Sequence, residues 1–289
     1  MIKLIGYQHC SIDFLNKVVG SKRLRQNELP PFYKHRIIDL IPMVSPAYQV
    51  YDIAFLQNQL HTVTASVSFT PDQKADALQL YDYSTKPFTI LKNAIITLPN
   101  NYEVYTCQYC TIGSINTLDH IMPKDDYPEF VVHPKNLIPV CSQCNSYKSE
   151  KWITNGIHEF LNPYLNILPR DQFLFANINY VNDTFEVNFE LRNPNFAIPI
   201  YLFNVIQNHY RNLHLLERFK NQSSKIISEF ENSIKGSLTN QSLDQAIDCA
   251  RATARFNQGI LGFNHFENII KLELCNGVAF RQYCQVMGY

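Results

Sequence analysis

Apolar and polar residues alternate along the chain in periods that predict many helices and a few short strands. A helical stripe over residues 11–19 is followed by Gly20, a residue that favours helix ends. Pro30-Pro31 breaks the chain before a second helical pattern at 32–40. The N-terminal region is therefore predicted to be mixed helix and loop.

Between residues 63 and 98 the period changes twice. Apolar residues alternate with polar ones over 63–70, which predicts a short strand. Thr70-Pro71-Asp72-Gln73 has the residues of a capping box with proline at the first helical position, so a helix is expected from there to about Tyr81. A further apolar segment, 88–98, leads into a turn before the central part of the chain.

The C-terminal region is predicted to open with a β-hairpin and to continue as helices. Residues 184–192 alternate strictly, and Asn182-Asp183 separates them from a matching run at 173–181. A helical pattern follows over 201–234, and Ser242-Leu243-Asp244-Gln245 is a second capping box, opening a helix toward Phe256. The last helical pattern covers 263–286.

Length and composition describe a globular protein. With 289 residues, 46% hydrophobic and 17% charged, the chain can form one large domain or two to three small ones. It has no run of about 18 apolar residues, and its N-terminus lacks the basic and apolar segments of a signal peptide. We therefore expect a cytoplasmic location, no membrane partner and reduced cysteines.

The net charge is zero, but positive charge is concentrated near the N-terminus. Residues 1–36 carry seven basic residues against two acidic ones, a balance of +5, whereas residues 101–155 carry four against six. This arm would attract a polyanion without reading its sequence, and a solvated helix surface is the alternative interpretation. Its basic residues are Lys3, Lys17, Lys22, Arg23, Arg25, Lys34 and Arg36.

Four of the eight cysteines form two Cys-x-x-Cys pairs separated by 30 residues. Each pair can present two thiolates to one ion, and two pairs complete the tetrahedron that zinc prefers. Disulfide bonds are the alternative, which a reducing compartment disfavours. We predict a structural Zn²⁺ held by Cys107, Cys110, Cys141 and Cys144. The lone cysteines, Cys10, Cys249, Cys275 and Cys284, are predicted to be buried among apolar residues.

Polar residues between and beside the cysteine pairs form a candidate catalytic site. Leu118-Asp119-His120-Ile121 predicts a short strand ending at Pro123, and residues 136–141 predict a second strand. A helix is expected over 142–153, with Asn145 in its first turn. The order strand, loop, strand, helix would bring Asp119 close to Asn145.

This segment resembles the HNH endonucleases, a ββα-metal group, in the branch that carries two zinc-binding Cys-x-x-Cys pairs. The matching pattern is Asp-His-Ile-x-Pro at 119–123, followed by Asn-Leu-x-Pro-x-Cys-x-x-Cys-Asn-x-x-Lys at 136–148. The upstream Cys-x-x-Cys completes it. The resemblance covers about residues 100–155.

The resemblance implies an endonuclease that cleaves phosphodiester bonds and leaves 5′-phosphate and 3′-hydroxyl ends. His120 corresponds to the general base, a role that suits a neutral imidazole near pH 7. Asp119 and Asn145 correspond to the ligands of one Mg²⁺ or Mn²⁺ ion. Asn136 corresponds to the asparagine that braces the loop between the strands, and Lys148 is placed to pair with phosphate.

Two features depart from the family pattern. Asn145 stands where the last histidine of the family name is expected, and no Gly-Gly follows Pro123. The loop instead holds Asp125 and Asp126, which we predict to be solvated, with metal ligation as the alternative. His133 is predicted to be a structural or surface residue, not a second base.

The prediction is thus an α+β protein built around a ββα-metal HNH module at 99–165. A zinc ion bound by four cysteines is expected to hold this module together. A mostly helical N-terminal region (1–98) and a hairpin followed by a helical C-terminal domain (166–289) flank it. The expected substrate is double-stranded DNA, in bacterial restriction or anti-phage defence. Two alternatives are a nuclease subunit controlled by a partner such as an ATPase, and a non-catalytic zinc-ribbon module that binds nucleic acid. The C-terminal helices are the expected surface for a protein partner or a homodimer.

Overall fold

The computed structural model describes residues 1–24 and 27–289, so Arg25 of the predicted basic arm lies outside the described residues. The chain forms two compact units. One is Lys3–Ile167, and the other combines Met1–Ile2 with Leu168–Tyr289. The finer division into three regions, at residues 98 and 165, stays a prediction.

Helices precede the cysteine-rich segment in the first unit. The capping box predicted at Thr70 is present: Gln73 N donates to Thr70 Oγ1 at 3.2 Å, and Thr70 N donates to Gln73 Oε1 at 2.9 Å. The helix that it opens ends at Leu78, somewhat before the predicted boundary. The helices are α1 (Ser11–Ser21), α2 (Tyr33–Leu56), α3 (Pro71–Leu78) and α4 (Lys86–Ile96).

Helix α2 continues well past the predicted boundary at residue 40, through Pro42 and Pro46. A proline inside a helix removes a hydrogen-bond donor and crowds the preceding turn. Nine residues along α2 are nevertheless buried, among them Tyr48 and Tyr51. Burial of this apolar face outweighs the two prolines, because tertiary packing contributes most of a helix's stability in a folded protein.

The strand predicted over residues 63–70 is absent from this described part of the chain. Ser66 N donates to the side-chain oxygen Oε1 of Glu129 at 2.9 Å, and Thr70 caps α3. The prediction was wrong because alternation alone cannot make a strand: a strand needs a neighbouring strand to take up its backbone hydrogen bonds.

Two antiparallel strands and a helix form the centre of the first unit: β1 (Thr117–His120), β2 (Leu137–Val140) and α5 (Ser142–Lys148). In the register, His120 lies opposite Leu137. Helix α5 ends before the predicted boundary at 153, because Ser149 adopts a φ of 50°, which a right-handed helix does not permit. A small hairpin follows, β3 (Ile153–Thr154) and β4 (Ile157–His158).

The second unit begins with the predicted hairpin, formed by β5 (Leu174–Val181) and β6 (Thr184–Leu191). Asn182 and Asp183 connect the strands with φ of 50° and 58°. Positive φ at both central residues is typical of the tight turns whose twist matches that of the strands. The turn residues and the alternation therefore predict this hairpin correctly.

Helices complete the second unit. The helical pattern predicted over 201–234 is divided at His214, whose φ of 53° interrupts helical geometry. The second capping box is present, with Gln245 N donating to Ser242 Oγ at 3.3 Å. The helices are α6 (Ile200–Asn212), α7 (Leu215–Ser237), α8 (Leu243–Leu261), α9 (Phe266–Asn276) and α10 (Ala279–Met287).

Helices and separate two-stranded antiparallel sheets make this an α+β protein, which confirms the predicted fold class. Among the described residues, no helix combines the length and the apolarity that crossing a bilayer requires.

Candidate active site and zinc centre

The cysteines of the two Cys-x-x-Cys pairs come together in the first unit. Their sulfur atoms all lie within 4.8 Å of one another, and Cys110 Sγ is 3.9 Å from Cys141 Sγ. Four sulfurs bound to zinc at about 2.3 Å form a tetrahedron with edges of about 3.8 Å. The four buried thiols, those of Cys107, Cys110, Cys141 and Cys144, therefore fit a zinc ion.

The loop after the first pair has the contacts that such a centre needs. Ile112 N and Gly113 N each donate to Cys110 Sγ at 3.5 Å. Gly113 also approaches the second pair closely: a Cβ atom there would lie 3.1 Å from Cys141 Cβ and 3.2 Å from Cys141 Sγ. Glycine permits this approach because it has no side chain.

The prediction that all four lone cysteines are buried is wrong for two of them. Cys275 and Cys284 are buried, whereas Cys10 and Cys249 are exposed. Cys10 is the residue before α1, and Cys249 lies on α8, a helix with a polar outer face. Apolar neighbours in the sequence of an amphipathic helix do not fix the burial of one position, because successive residues point in different directions.

His120 is the last residue of β1 and is only 8% exposed. Its Nε2 lies 2.8 Å from the main-chain oxygen of Val131. A carbonyl oxygen can only accept, so Nε2 carries the proton and Nδ1 is the acceptor of the neutral ring. Burial lowers the pKa of His120 to about 4, although the hydrogen bond to Val131 opposes this shift. The imidazole is therefore neutral at pH 7.

Tyr81, just beyond α3, packs against the candidate base. Its ring meets the His120 ring edge-on, with centroids 4.8 Å apart. Its hydroxyl donates to the main-chain oxygen of Leu118 at 2.6 Å. The segment between α3 and α4 thus contributes directly to the environment of His120.

Asp119 is 3% exposed, and side chains of neighbouring strand residues point to opposite faces. Its Oδ1 lies 3.5 Å from Lys148 Nζ, and its Oδ2 accepts a hydrogen bond from the Tyr109 hydroxyl at 3.2 Å. Burial raises the pKa of Asp119 to about 6, and the charge of Lys148 acts against the shift. One residue from the first cysteine pair and one from α5 therefore hold the carboxylate.

Lys148 is directed inward, with an exposure of 2%. Its Nζ donates to the main-chain oxygen of His120 at 2.6 Å, in addition to its ion pair with Asp119. A buried ammonium requires such partners, because it loses its hydration. This placement differs from the predicted contact with phosphate.

Asn145 is half-buried in the first turn of α5, three residues before Lys148. Residues three apart are neighbours on a helix surface, so Asn145 lies on the same side of α5 as Lys148, which pairs with Asp119. Carboxylate and amide oxygens are the hard ligands that Mg²⁺ and Mn²⁺ prefer, and water and phosphate usually complete the shell. The donor set of Asp119 and Asn145 thus fits such a cation.

Asn136 is completely buried, and its side chain closes the loop between β1 and β2. Its Oδ1 accepts from Met122 N at 2.8 Å and from the Tyr51 hydroxyl at 3.1 Å. Its Nδ2 donates to the main-chain oxygens of Met122 at 3.2 Å and Phe130 at 3.1 Å. Its main-chain oxygen accepts from Ile121 N at 2.8 Å, so the brace reaches the residue after His120.

The acidic residues of this loop are solvated, as predicted. The Asp125 carboxylate lies 3.0 Å from Lys124 Nζ, with side-chain exposures of 40% and 42%. Asp126 is exposed. His133 is fully buried, with its ring centroid 4.1 Å from that of Tyr51, which is a structural position.

Sequence reasoning missed four residues of this site: Tyr51, Tyr81, Tyr109 and Val131. Tyr109 had a usable signal, because it lies between two of the cysteines that were predicted to bind zinc. Val131 acts through its main chain, Tyr51 comes from the distant helix α2, and Tyr81 lies beyond α3. None of these three has a local pattern that would indicate the contact.

Two antiparallel strands, a long loop and a helix lie beside four clustered thiols, and Asp119-His120 ends the first strand, which is the arrangement expected of a ββα-metal module. Residues 107–151 match the family model described as HNH endonuclease. The predicted HNH resemblance is thereby confirmed over this segment, and the match supports a nuclease.

Two relatives share part of their length with this chain. Protein ea31 of Escherichia phage lambda is 37% identical over 75 residues, which is 25% of this chain and 25% of that protein. Septu protein PtuB of Bacillus thuringiensis is 38% identical over 64 residues, 22% of this chain and 24% of that protein. The similarity therefore spans only about a quarter of each relative. No solved structure matches the chain.

Proposed function

We propose that this protein is a metal-dependent HNH endonuclease that hydrolyses phosphodiester bonds of nucleic acid, with double-stranded DNA as its substrate. One observation carries the proposal. His120 is a neutral imidazole whose Nε2 proton is held by Val131, which leaves Nδ1 as a hydrogen-bond acceptor. A general base needs this protonation state at neutral pH.

In the proposed reaction, Nδ1 of His120 accepts a proton from a water molecule, whose oxygen attacks phosphorus. The bond from phosphorus to the 3′ oxygen breaks, and that oxygen takes a proton from solvent. The products are a 5′-phosphate and a 3′-hydroxyl. The Val131 carbonyl keeps the ring oriented and stabilises the imidazolium that forms. A divalent cation bound by Asp119 and Asn145 would stabilise negative charge on the phosphate and the departing oxygen.

Two further residues position this machinery. Asn136 closes the loop that follows His120. Lys148 fixes the His120 main chain and balances the charge of Asp119. We propose this internal role for Lys148 in place of the phosphate contact predicted from the sequence.

The basic N-terminal arm supports nucleic acid as substrate. Lys3, Lys17 and Arg23 are exposed, so they can reach phosphates. Arg36 has another use, because its guanidinium nitrogens lie 2.7 and 2.9 Å from the Asp76 carboxylate. Binding through exposed lysines would be independent of sequence and would weaken steeply with salt.

A plasmid-nicking assay with Mg²⁺ or Mn²⁺ tests the proposal. The wild-type protein should convert supercoiled plasmid to the nicked form, and His120→Ala should lower the rate by at least about 100-fold while retaining zinc. His35→Ala, which removes an exposed imidazole on α2, is the matched control and should cleave normally.

Two outcomes favour the alternatives. Nucleic-acid binding without cleavage under any divalent cation would support a non-catalytic zinc-ribbon module. Cleavage that appears only with a co-purifying ATPase would support a nuclease subunit under partner control.

The biological part of the proposal is restriction or anti-phage defence in the bacterial cytoplasm, with the C-terminal helices available for a protein partner or a homodimer. Its support is the nuclease module together with similarity to a bacterial and a phage protein. Cells expressing the wild-type chain should plate fewer phages than cells expressing His120→Ala, and equal plating across a phage panel would count against this role.

A further inference from the structure

The candidate cation ligand Asp119 is held from two sides, and each side belongs to one half of the zinc centre. Tyr109, inside the first Cys-x-x-Cys pair, donates its hydroxyl to Oδ2 at 3.2 Å. Lys148 lies on α5, the helix that also carries Cys144, and its Nζ is 3.5 Å from Oδ1. The first cysteine pair and the helix that carries Cys144 therefore each contact a different oxygen of one carboxylate.

The position of the Tyr109 hydroxyl does not depend on Asp119. The side chain is 2% exposed, and its ring stacks on Phe160 with a centroid distance of 6.1 Å and an interplanar angle of 19°. Its main chain lies between two thiols of the zinc cluster. Packing on Phe160 and the neighbouring cysteines thus hold the ring from groups other than the carboxylate.

Such a contact affects how a carboxylate binds a cation. Each carboxylate oxygen has two lone pairs, so accepting one hydrogen bond leaves capacity for a metal. A carboxylate already held in one rotamer loses less conformational entropy on binding. Hydrogen bonds to a ligand's far side typically change metal affinity by about 10–100-fold.

We infer that Tyr109 is a positioning residue for the divalent cation: its hydroxyl orients Asp119, and through it the cysteine centre sets the geometry of the catalytic ion. The inference rests on the proposed nuclease function and deepens it. Tyr109 touches neither the substrate nor the reacting atoms in this role.

The test compares Tyr109→Phe with Tyr33→Phe in the full-length, zinc-loaded protein. Tyr33 is a matched control because it is also buried, and its hydroxyl donates at the same 3.2 Å, to the main-chain oxygen of Asp76. Three quantities are measured: zinc content, Mn²⁺ affinity by electron paramagnetic resonance, and the Mn²⁺ concentration that gives half-maximal nicking.

Tyr109→Phe should retain zinc but bind Mn²⁺ about tenfold more weakly, with a matching rise in the half-maximal concentration. Its rate at saturating Mn²⁺ should recover toward that of the wild type, since the defect lies in binding. Tyr33→Phe should leave all three quantities unchanged.

An Mn²⁺ affinity for Tyr109→Phe within about twofold of the wild type, with zinc retained, overturns the inference while leaving the nuclease in place. Equal losses in both variants also overturn it, because they would show a general softening of the fold. A wild-type protein that neither binds Mn²⁺ nor nicks plasmid refutes the proposed function, and the inference falls with it.

A second measurement covers the case in which Tyr109→Phe loses zinc. Fluorotyrosine placed at position 109 keeps the hydroxyl and reports its surroundings by ¹⁹F NMR. Adding Mg²⁺ should shift this signal in the otherwise wild-type chain and not in Asp119→Asn. An unshifted signal at Mg²⁺ concentrations that support cleavage overturns the inference.

Discussion

The ammonium of Lys148 is hydrogen-bonded to the main-chain oxygen of His120 at 2.6 Å, and it lies 3.5 Å from the carboxylate of the preceding residue, Asp119. The two side chains of this ion pair are 2% and 4% exposed. One cation thus joins the candidate base's backbone to the candidate metal ligand. Removing one member of a buried ion pair is costly, because it leaves the other charge without water or a partner.

Lys148→Met should lower the free energy of unfolding by about 3–5 kcal/mol. The protein has a single tryptophan, Trp152, which lies in the first unit, so urea unfolding followed by its fluorescence measures the relevant unit. Combining Lys148→Met with Asp119→Asn removes both charges and should restore at least about 1 kcal/mol. A double variant whose loss equals the sum of the two single losses would show that the pair is not coupled.

The environments of Asp119 and His120 predict two different pH values below which the cleavage rate falls. Burial raises the pKa of Asp119 to about 6 and lowers that of His120 to about 4. Protonated Asp119 cannot bind a cation, so at low metal concentration the rate should fall below pH 6, by about tenfold per pH unit. Saturating metal keeps the carboxylate ionised, and the limit should then move toward the pKa of His120.

Nicking rates measured from about pH 4.5 to 8 at limiting and saturating Mn²⁺ check this separation. The sign is the same for both groups, since each must be deprotonated to act. An acid limit that stays near 6.5, the ordinary histidine value, at both metal concentrations would contradict the assignment.

Asn136→Ala should destabilise the first unit by about 3–5 kcal/mol, because it leaves Met122 N buried without an acceptor, removes the donor to two main-chain oxygens and leaves the Tyr51 hydroxyl only its longer contact of 3.4 Å with the Lys135 oxygen. Tyr51→Phe removes only one of these bonds and should cost about 1 kcal/mol. Urea unfolding monitored by Trp152 fluorescence distinguishes the two. Similar losses for both variants would mean that Asn136 does not brace the loop.

Cys141→Ser should lose zinc and the fold of the module together, with an unfolding midpoint lowered by roughly 10 °C or more. A zinc ion bound by the four thiols would connect two segments that are otherwise joined by the short strands β1 and β2 and by the Asn116–Ser142 hydrogen bonds. Zinc release measured with a chromogenic chelator, alongside thermal unfolding, checks this. A Cys141→Ser protein that stays folded and cleaves without zinc would refute it.

Gly113→Ala provides a graded version of the same test. Its new Cβ would lie 3.1 Å from Cys141 Cβ, so the cysteine pairs must separate slightly and zinc should be released more readily. Gly20→Ala is the control, since no atom lies within 4 Å of a Cβ there, and alanine in α1 should stabilise by about 0.5–1 kcal/mol.

The parts of this protein that sequence predicts are those in which the deciding residues are close together. The capping boxes at Thr70 and Ser242 depend on residues three positions apart, and both are present. The HNH segment spans residues 107–151, and its cysteine spacing predicts the cluster that the four thiols form. The hairpin turn at Asn182-Asp183 is equally local.

The parts that sequence does not predict depend on packing between distant segments. Helix α2 passes through Pro42 and Pro46 because its buried face contacts the rest of the unit. Tyr51 reaches Asn136 across a separation of 85 residues, and no pattern near either residue indicates it. The exposure of Cys10 likewise depends on tertiary surroundings, not on its neighbours in sequence.

The burial of His133 predicts how the stability of the first unit changes as the pH falls. Its ring lies between aromatic rings, with centroids 4.5 Å from Tyr48 and 4.1 Å from Tyr51. Burial lowers its pKa to about 3, although the charge of Asp52 opposes the shift. In the unfolded chain a histidine titrates near 6.5. Its contribution to stability is therefore complete above pH 6.5 and is lost as the pH falls toward 3, because only the unfolded state takes up the proton.

His133→Phe keeps an aromatic ring in this cluster and removes the titrating group. Between about pH 7 and pH 5 the free energy of unfolding of the wild type should fall by about 2 kcal/mol more than that of the variant. Urea unfolding followed through Trp152 fluorescence measures this difference. Asp119 acts in the opposite direction, since its raised pKa stabilises the folded state as the pH falls. That contribution is present in both proteins and cancels in the comparison. Equal losses in the two proteins would mean that the imidazole is not held neutral between the tyrosines.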